Sequence, residues 1–177
     1  MPSERATKFV DFVVKTALDN PGCRADLRSG LGRSLDGAPR MHAYLVRFTA
    51  TADPHSKAVL YTVASLIAVN PDGAVGKHST GSLGVSIGRA YHIAENTREK
   101  TVHWLTRQPT GHLCRALTHT ILPLRQSKAD RVDIDFARLV DDATSWPGKR
   151  QVVGSRWLQD YYRTLLRVDG DNVASAL

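Results

Sequence analysis

Apolar residues recur along this chain at intervals of three and four, the spacing that places them on one face of an α-helix. In residues 4–19, Phe9, Val10 and Val13 share such a face, and Asn20 with the Pro-Gly pair after it ends the segment. There is no convincing alternation of period two and no Asn-Gly hairpin signal. This pattern predicts an all-α protein.

The same periodicity predicts a compact helical bundle of about eight to nine helices. After residues 4–19 we expect a short helix carrying Arg24 to Leu31, a brief helix from Pro39 through Val46, and helices at 55–69, 83–93, 98–107, 111–126, 135–145 and 148–167. Asp133 or Asp135 is expected to cap the helix at 135–145, and Pro147 suits the first turn of the last helix. Residues 71–82 are expected to form a loop.

The length of 177 residues allows one domain, or one domain of two small helical lobes. We expect one all-helical domain over residues 1–167, with lobes at about 1–80 and 81–167, and a flexible tail at 168–177. The chain has two widely spaced cysteines, no apolar stretch of signal-peptide type near its start and no run long enough to span a membrane. These features predict a reduced, cytoplasmic protein with no membrane partner.

Charge is the strongest functional signal. The 24 Lys and Arg residues outnumber the 17 Asp and Glu residues, which gives a formal net charge of +7 and a sequence pI of about 9.7. A pI above 9 is typical of proteins that bind nucleic acid or another anionic surface.

Motifs for catalysis and metal binding are incomplete. Lys77 lies in a glycine-rich loop, but His78 follows it, so the Walker sequence is broken and a flexible basic loop touching phosphates is the better interpretation. His112, Cys114 and His119 are close in sequence, yet Cys114 points away from the histidine face and no further ligand completes a tetrahedral site. Because no nucleophile, base and orienting group assemble either, we expect no enzyme activity, no metal and no cofactor.

Arginines form stripes at helical spacing. Arg156, Arg163 and Arg167 are seven and four residues apart, and Arg115 lies between His112 and His119 at intervals of three and four. Arginine suits phosphate because its planar fork donates two hydrogen bonds and stays charged. The predicted nucleic-acid-binding residues are Arg24, Arg28, Lys77, Arg89, Arg107, Arg115, Lys149, Arg150 and Arg156.

The alternative for these arginines is a structural role, paired with acids such as Asp141 or Asp160. We also expect Trp104 and Trp157 to be buried, because both fall on apolar helix faces. Arg107 and Arg156, which lie close to these tryptophans in sequence, are expected to stay at the surface.

Several segments, in order, resemble the CasB family. Residues 80–90 resemble its Gly-x-x-Leu/Ile-Gly-Arg-Ala stretch, and residues 156–162 resemble its closing Arg-Trp-x-x-Asp-Phe/Tyr helix. Between them, 102–107, 113–119 and 132–139 with Trp146 resemble successive helices of the family. Together with pattern matches in the first third, the resemblance covers about residues 8–165.

CasB proteins are the small subunit of the type I-E CRISPR effector Cascade. The resemblance therefore implies a non-catalytic, all-α subunit that is present with a second copy of itself. Its partners would be the repeated backbone subunit, the large subunit, the guide-processing subunit, the guide RNA and the target DNA. Its basic surface would support the guide–target heteroduplex and the displaced strand of the R-loop.

A helical DNA-binding transcription regulator is the alternative function. It would need a helix-turn-helix with a solvent-facing recognition helix and a dimer. The glycines near residues 81–88 offer a poor turn for that motif.

Overall fold

The computed structural model describes residues 1–74, 81–126 and 132–174. Within these ranges the backbone forms nine α-helices, four short 3₁₀ turns and no β-strand, which confirms the all-α prediction. The helices are α1 (Glu4–Asp19), α2 (Pro21–Arg28), α3 (His42–Thr49), α4 (Pro54–Val69), α5 (Leu83–Gly88), α6 (Glu95–Thr106), α7 (Leu113–Gln126), α8 (Phe136–Thr144) and α9 (Trp146–Ala174). The 3₁₀ turns are Leu35–Gly37, Pro39–Met41, Asp72–Ala74 and Thr110–His112.

Side-chain caps start several of these helices. The Ser3 hydroxyl accepts a hydrogen bond from the Ala6 amide at 3.2 Å, and the Asp53 carboxylate accepts one from the Ser56 amide at 3.0 Å. Of the two residues predicted to cap α8, Asp135 does so, because its carboxylate accepts a hydrogen bond from the Arg138 amide at 2.8 Å. Such caps satisfy amide groups that have no partner within the helix.

The helices enclose one hydrophobic core. Helices α1, α2 and α4 pack on one another, and α3 packs on α4. Helices α5 and α6 pack on α9, while α7 contacts both α4 and α6. Helix α8 joins the two groups because it contacts α1, α4 and α9. The division into lobes at about residue 80 stays a prediction.

Several helix boundaries differ from the sequence prediction, most of all those of α5 and α9. Helix α5 ends at Gly88 rather than near residue 93, with Arg89 as its C-cap. Helix α9 continues through Ala174 rather than ending at residue 167, and it contains a kink at Lys149, where φ is −129° and ψ is 19°.

Glycines allow α5 to pack closely against α9. A Cβ atom on Gly84 would lie 2.7 Å from the carbonyl carbon of Trp157, and one on Gly88 would lie 3.0 Å from the Cβ of Thr164. Both distances are shorter than ordinary carbon–carbon contacts. These glycines therefore serve helix packing.

The tryptophans separate into two classes. Trp146 and Trp157 are fully buried, with ring centroids 5.2 Å apart, whereas Trp104 is 47% exposed. The prediction of burial is thus correct for Trp157 and wrong for Trp104. Helix α6 instead buries the face that carries Arg98, Val102 and Leu105. Among the described helices, none combines the length and apolar character that crossing a bilayer requires.

Candidate nucleic-acid interface

A groove runs along the first turns of α9 beside the end of α6. One part is lined by Arg107 and Arg150 together with Gln151 and Gly154, and the adjoining part is lined by Lys149 and Arg150 with neighbouring residues. We call this surface the α9 groove and define it by Arg107, Thr110, Lys149, Arg150, Gln151 and Ser155. No carboxylate from the described residues lines either part. The groove therefore concentrates positive charge, and three of the predicted residues meet there.

Local structure explains why these three cations meet. The kink at Lys149 redirects the chain as α9 begins. Farther along, Gly154 lets the end of α6 approach closely, since a Cβ at that position would lie 3.3 Å from the Cβ of Thr106. The connection after α6 is held by the indole of Trp146, which donates a hydrogen bond to the carbonyl of Gln108 at 3.1 Å. Arg107, the residue before Gln108, thus lines the same part of the groove as Arg150.

Arg156 differs from the groove cations because it has a partner inside the fold. Its guanidinium forms an ion pair with Asp142, whose side chain is 7% exposed, while that of Arg156 is 35% exposed. Arg156 therefore lies only partly at the surface, because α8 supplies a carboxylate to it across the interface with α9. Contact between Arg156 and nucleic acid would have to compete with this carboxylate.

Asp142 is the centre of a small buried polar group. The Trp157 indole donates a hydrogen bond to its second carboxylate oxygen at 2.7 Å. Burial raises the pKa of Asp142 above its ordinary value, while the Trp157 hydrogen bond and the charge of Arg156 oppose that shift. The adjacent residues Arg156 and Trp157 of α9 thus both bind Asp142, and they anchor α9 to α8. Nearby, the guanidinium of Arg163, which is not among the predicted nucleic-acid-binding residues, pairs with the carboxylate of Asp160 at 3.1 Å.

Arg24 also has acceptors within the protein. Its Nε and Nη2 atoms donate hydrogen bonds to the carbonyl oxygens of Ala68 and Val69, both at 3.0 Å. These carbonyls belong to the last turn of α4, where they have no partner within the helix. Arg24 therefore caps α4, which sequence spacing alone did not indicate. Arg28, at the end of α2, is exposed.

The remaining predicted residues lie outside the α9 groove. Arg89 is exposed and follows Gly88, which packs on Thr164, so it lies roughly 20 Å along α9 from Arg150 at 1.5 Å per residue. Arg115 is exposed on α7, between the exposed His112 and His119, as its stripe predicted. Lys77 falls outside the described residues.

Two further arginines, which the sequence analysis did not single out, lie in the core. The guanidinium of Arg98 donates to the carbonyl of Gly88, and that of Arg125 donates to the carbonyl of Asn70. Both side chains are buried. Arginines within apolar helices are therefore used here in two ways, as internal caps and as exposed cations.

The described residues contain no group of three or more His, Cys, Asp and Glu side chains placed to hold a metal ion. Of the residues considered for a metal site from sequence, His112 is exposed in the 3₁₀ turn before α7, and His119 is exposed on α7.

Comparison with protein families shows which family the chain belongs to. The family model for CRISPR-associated protein Cse2 matches residues 23–162. The chain belongs to the Cse2 family. This match confirms the family predicted from the ordered motifs.

Solved structures match this Cse2-family chain over nearly its whole length. A chain of a structure named CRISPR RNA-guided surveillance complex is 28% identical, with a TM-score of 0.82 and coverage of 96% of this chain and 98% of that one. A chain of that type of complex in a pre-nicking state is 27% identical, with a TM-score of 0.75 and the same coverages. CasB from Thermus thermophilus, at 24% identity and a TM-score of 0.70 over 89% of this chain and 97% of its own, has the same fold. No curated protein sequence matches the chain.

Proposed function

We propose that this chain is the non-catalytic small subunit of a CRISPR RNA-guided surveillance complex. The observation that carries the proposal is the 28% identity to a chain of such a complex, which extends over 96% of this chain and 98% of that one. The Cse2 family match over residues 23–162 supports it independently. The partners are then the backbone, large and guide-processing subunits, a second copy of this chain, the guide RNA and the target DNA.

Within that complex, we assign the α9 groove to the nucleic-acid backbone. Arg107, Lys149 and Arg150 are all exposed, and the groove they line holds no carboxylate from the described residues that would compete with phosphate. Contacts of this kind read charge and shape rather than base sequence, which suits a subunit that must accept any guide and any target. The groove therefore supports the guide–target heteroduplex or the displaced strand.

The other exposed cations among the predicted residues lie outside the α9 groove. Arg28 lies on α2, Arg89 follows α5 and Arg115 lies on α7. Because they lie on elements outside the groove, we expect each to contribute less to binding than Arg107 or Arg150.

Charge reversal in the reconstituted complex tests the assignment. Arg107→Glu and Arg150→Glu should weaken R-loop formation on target DNA, because repulsion of phosphate adds to the lost contact. Their melting temperatures should stay within a few degrees of wild type, since exposed side chains away from structural features contribute about 0.5 kcal/mol or less. Lys8→Glu is the control: it alters net charge equally, on α1, where exposed Lys8 pairs with Glu4 at 2.6 Å.

The outcomes separate the possible roles. Loss of R-loop formation in both groove variants but not in Lys8→Glu supports the assignment. Stable groove variants that form R-loops as well as wild type would contradict it. Strong preference of the isolated chain for one duplex sequence would instead favour a transcription regulator.

A further inference from the structure

An exposed stripe along α6 has an aromatic residue between two cations. Lys100 and Trp104 on α6 and its C-cap residue Arg107 are spaced by four and three residues, so they lie within about 60° of one another around the helix axis. All three are exposed, and they face away from the buried Val102 and Leu105. At 1.5 Å per residue, Lys100 and Arg107 are about 10 Å apart along the axis, with the indole between them. We call this surface the α6 stripe.

Packing within the protein does not account for the exposure of Trp104. The other two tryptophans are fully buried and hydrogen-bonded, whereas 47% of Trp104 remains accessible. On the flank toward α9, the ring of His103 packs against Tyr162, whose hydroxyl donates a hydrogen bond to Glu99 at 2.8 Å. Glu99, an acid on that flank, is thus engaged by the tyrosine, and along the helix Trp104 lies between Lys100 and Arg107.

The stripe is continuous with the α9 groove through Arg107, which belongs to both surfaces. Flat aromatic side chains beside a basic groove are the usual means by which proteins hold unpaired bases without regard to sequence. A protein partner would also cover an exposed tryptophan. Here, however, one cation lies on each side of the ring, and this arrangement favours a strand whose phosphates flank a stacked base.

We infer that Trp104 stacks on one unpaired base of a single-stranded nucleic acid, and that Lys100 and Arg107 hold the phosphates that flank this base. The inference rests on the proposed function and adds to it a preference for unpaired over paired bases. Duplex nucleic acid keeps its bases stacked on one another, so it would meet the two cations but leave the indole uncovered.

Fluorescence of the full-length chain gives a direct readout. Because Trp146 and Trp157 are buried, the signal that responds to an added strand should come from Trp104. A dT20 oligonucleotide should quench it, while an abasic strand of equal length and charge should bind more weakly and quench little. A 20-base-pair duplex should also quench little.

Affinity for labelled dT20, measured by anisotropy, should separate stacking from general apolar contact. Trp104→Ala and Trp104→Leu should each weaken binding by about 5- to 100-fold, the range for loss of one base–aromatic stack. Trp104→Phe should retain most of the affinity. Leu18→Ala is the control, because Leu18 on α1 is exposed to a similar extent, 42%, and lies outside both surfaces; it should bind like wild type.

Several results would overturn the inference. Equal binding of dT20 and the abasic strand by wild type would do so, as would unchanged dT20 binding by Trp104→Ala. A Trp104→Ala variant that binds dT20 normally but no longer assembles with the other subunits would assign the residue to a protein interface. If Arg150→Glu weakens dT20 binding while Trp104→Ala does not, the α9 groove stands and the stacking site falls. Absence of dT20 binding by wild type would overturn both.

Discussion

Replacement of Gly84 by alanine tests the packing of α5 on α9. The added Cβ would meet the carbonyl oxygen of Trp157 first, and it would lie 2.7 Å from the carbonyl carbon and 3.0 Å from the Cα of that residue. Favourable contacts between carbon atoms lie at about 3.5–4.0 Å. The two helices must therefore separate by about 1 Å, because the clash is with backbone, which cannot rotate away as a flexible side chain can.

The cost follows from this displacement. Forcing extra volume into a packed interface costs about 1–3 kcal/mol and occasionally more. We expect the upper part of that range, because the separation would also loosen the contact of Gly88 with Thr164. The higher helix propensity of alanine offsets at most about 1 kcal/mol, so the net loss is about 2 kcal/mol. For a chain of this size, that corresponds to a fall in melting temperature of about 4–8 °C.

Circular dichroism melts of Gly84→Ala and of Gly111→Ala give the comparison. A Cβ on Gly111 would meet no atom within 4 Å, so that variant should melt at the temperature of wild type or slightly above it. A Gly84→Ala protein that melts within about 2 °C of wild type would refute the close approach of the two helices.

Three further predictions concern α9. Trp157→Ala should lower the free energy of unfolding by about 3–5 kcal/mol through the cavity it leaves, as urea denaturation would show; a loss below 1 kcal/mol would contradict the burial of this indole. Arg156→Ala should lower the free energy of unfolding by about 1–3 kcal/mol at pH 7, because it leaves the buried Asp142 carboxylate without its cation, and the 35% exposure of Arg156 keeps the loss below that of a fully buried pair. Since burial raises the pKa of Asp142, its contribution to stability is most favourable below the ordinary value of 3.8 and is lost as the pH rises through the raised value. Removing Arg156 raises that pKa further, so the deficit should be larger at pH 7 than at pH 4, and equal deficits would count against this account. Finally, binding of dT20 through the three groove cations and Lys100 should give a log–log salt slope of about −3, which Arg150→Ala should reduce in size by about 0.7; a slope near zero would show that the groove does not bind phosphate.

Local sequence was sufficient for most of the helices. The predicted segments 4–19 and 55–69 agree with α1 and α4 to within one residue, and Asp135 caps α8 as one of two candidates. Helical periodicity and capping depend on residues a few positions apart, so the chain states them directly. The order of the motifs over residues 8–165 was also readable from sequence, and it sufficed for the family.

Whether an individual side chain is buried or exposed depended on tertiary structure. Trp104 and Arg98 lie on the same short helix, yet the arginine is buried and the tryptophan exposed, because α6 turns the face with Val102 toward its neighbours. Periodicity alone does not determine this outcome, since the apolar and charged residues of α6 are mixed around its axis.

The arginines show the same limit. Arg24 and Arg156 find acceptors on α4 and α8, whereas Arg107 and Arg150 meet in a groove that holds no carboxylate from the described residues. Sequence determined that these side chains are cations at helical spacing. Whether each cation is neutralised inside the fold or left for phosphate depended on which distant residues the fold brings within a few ångströms, and no local pattern encodes that distance.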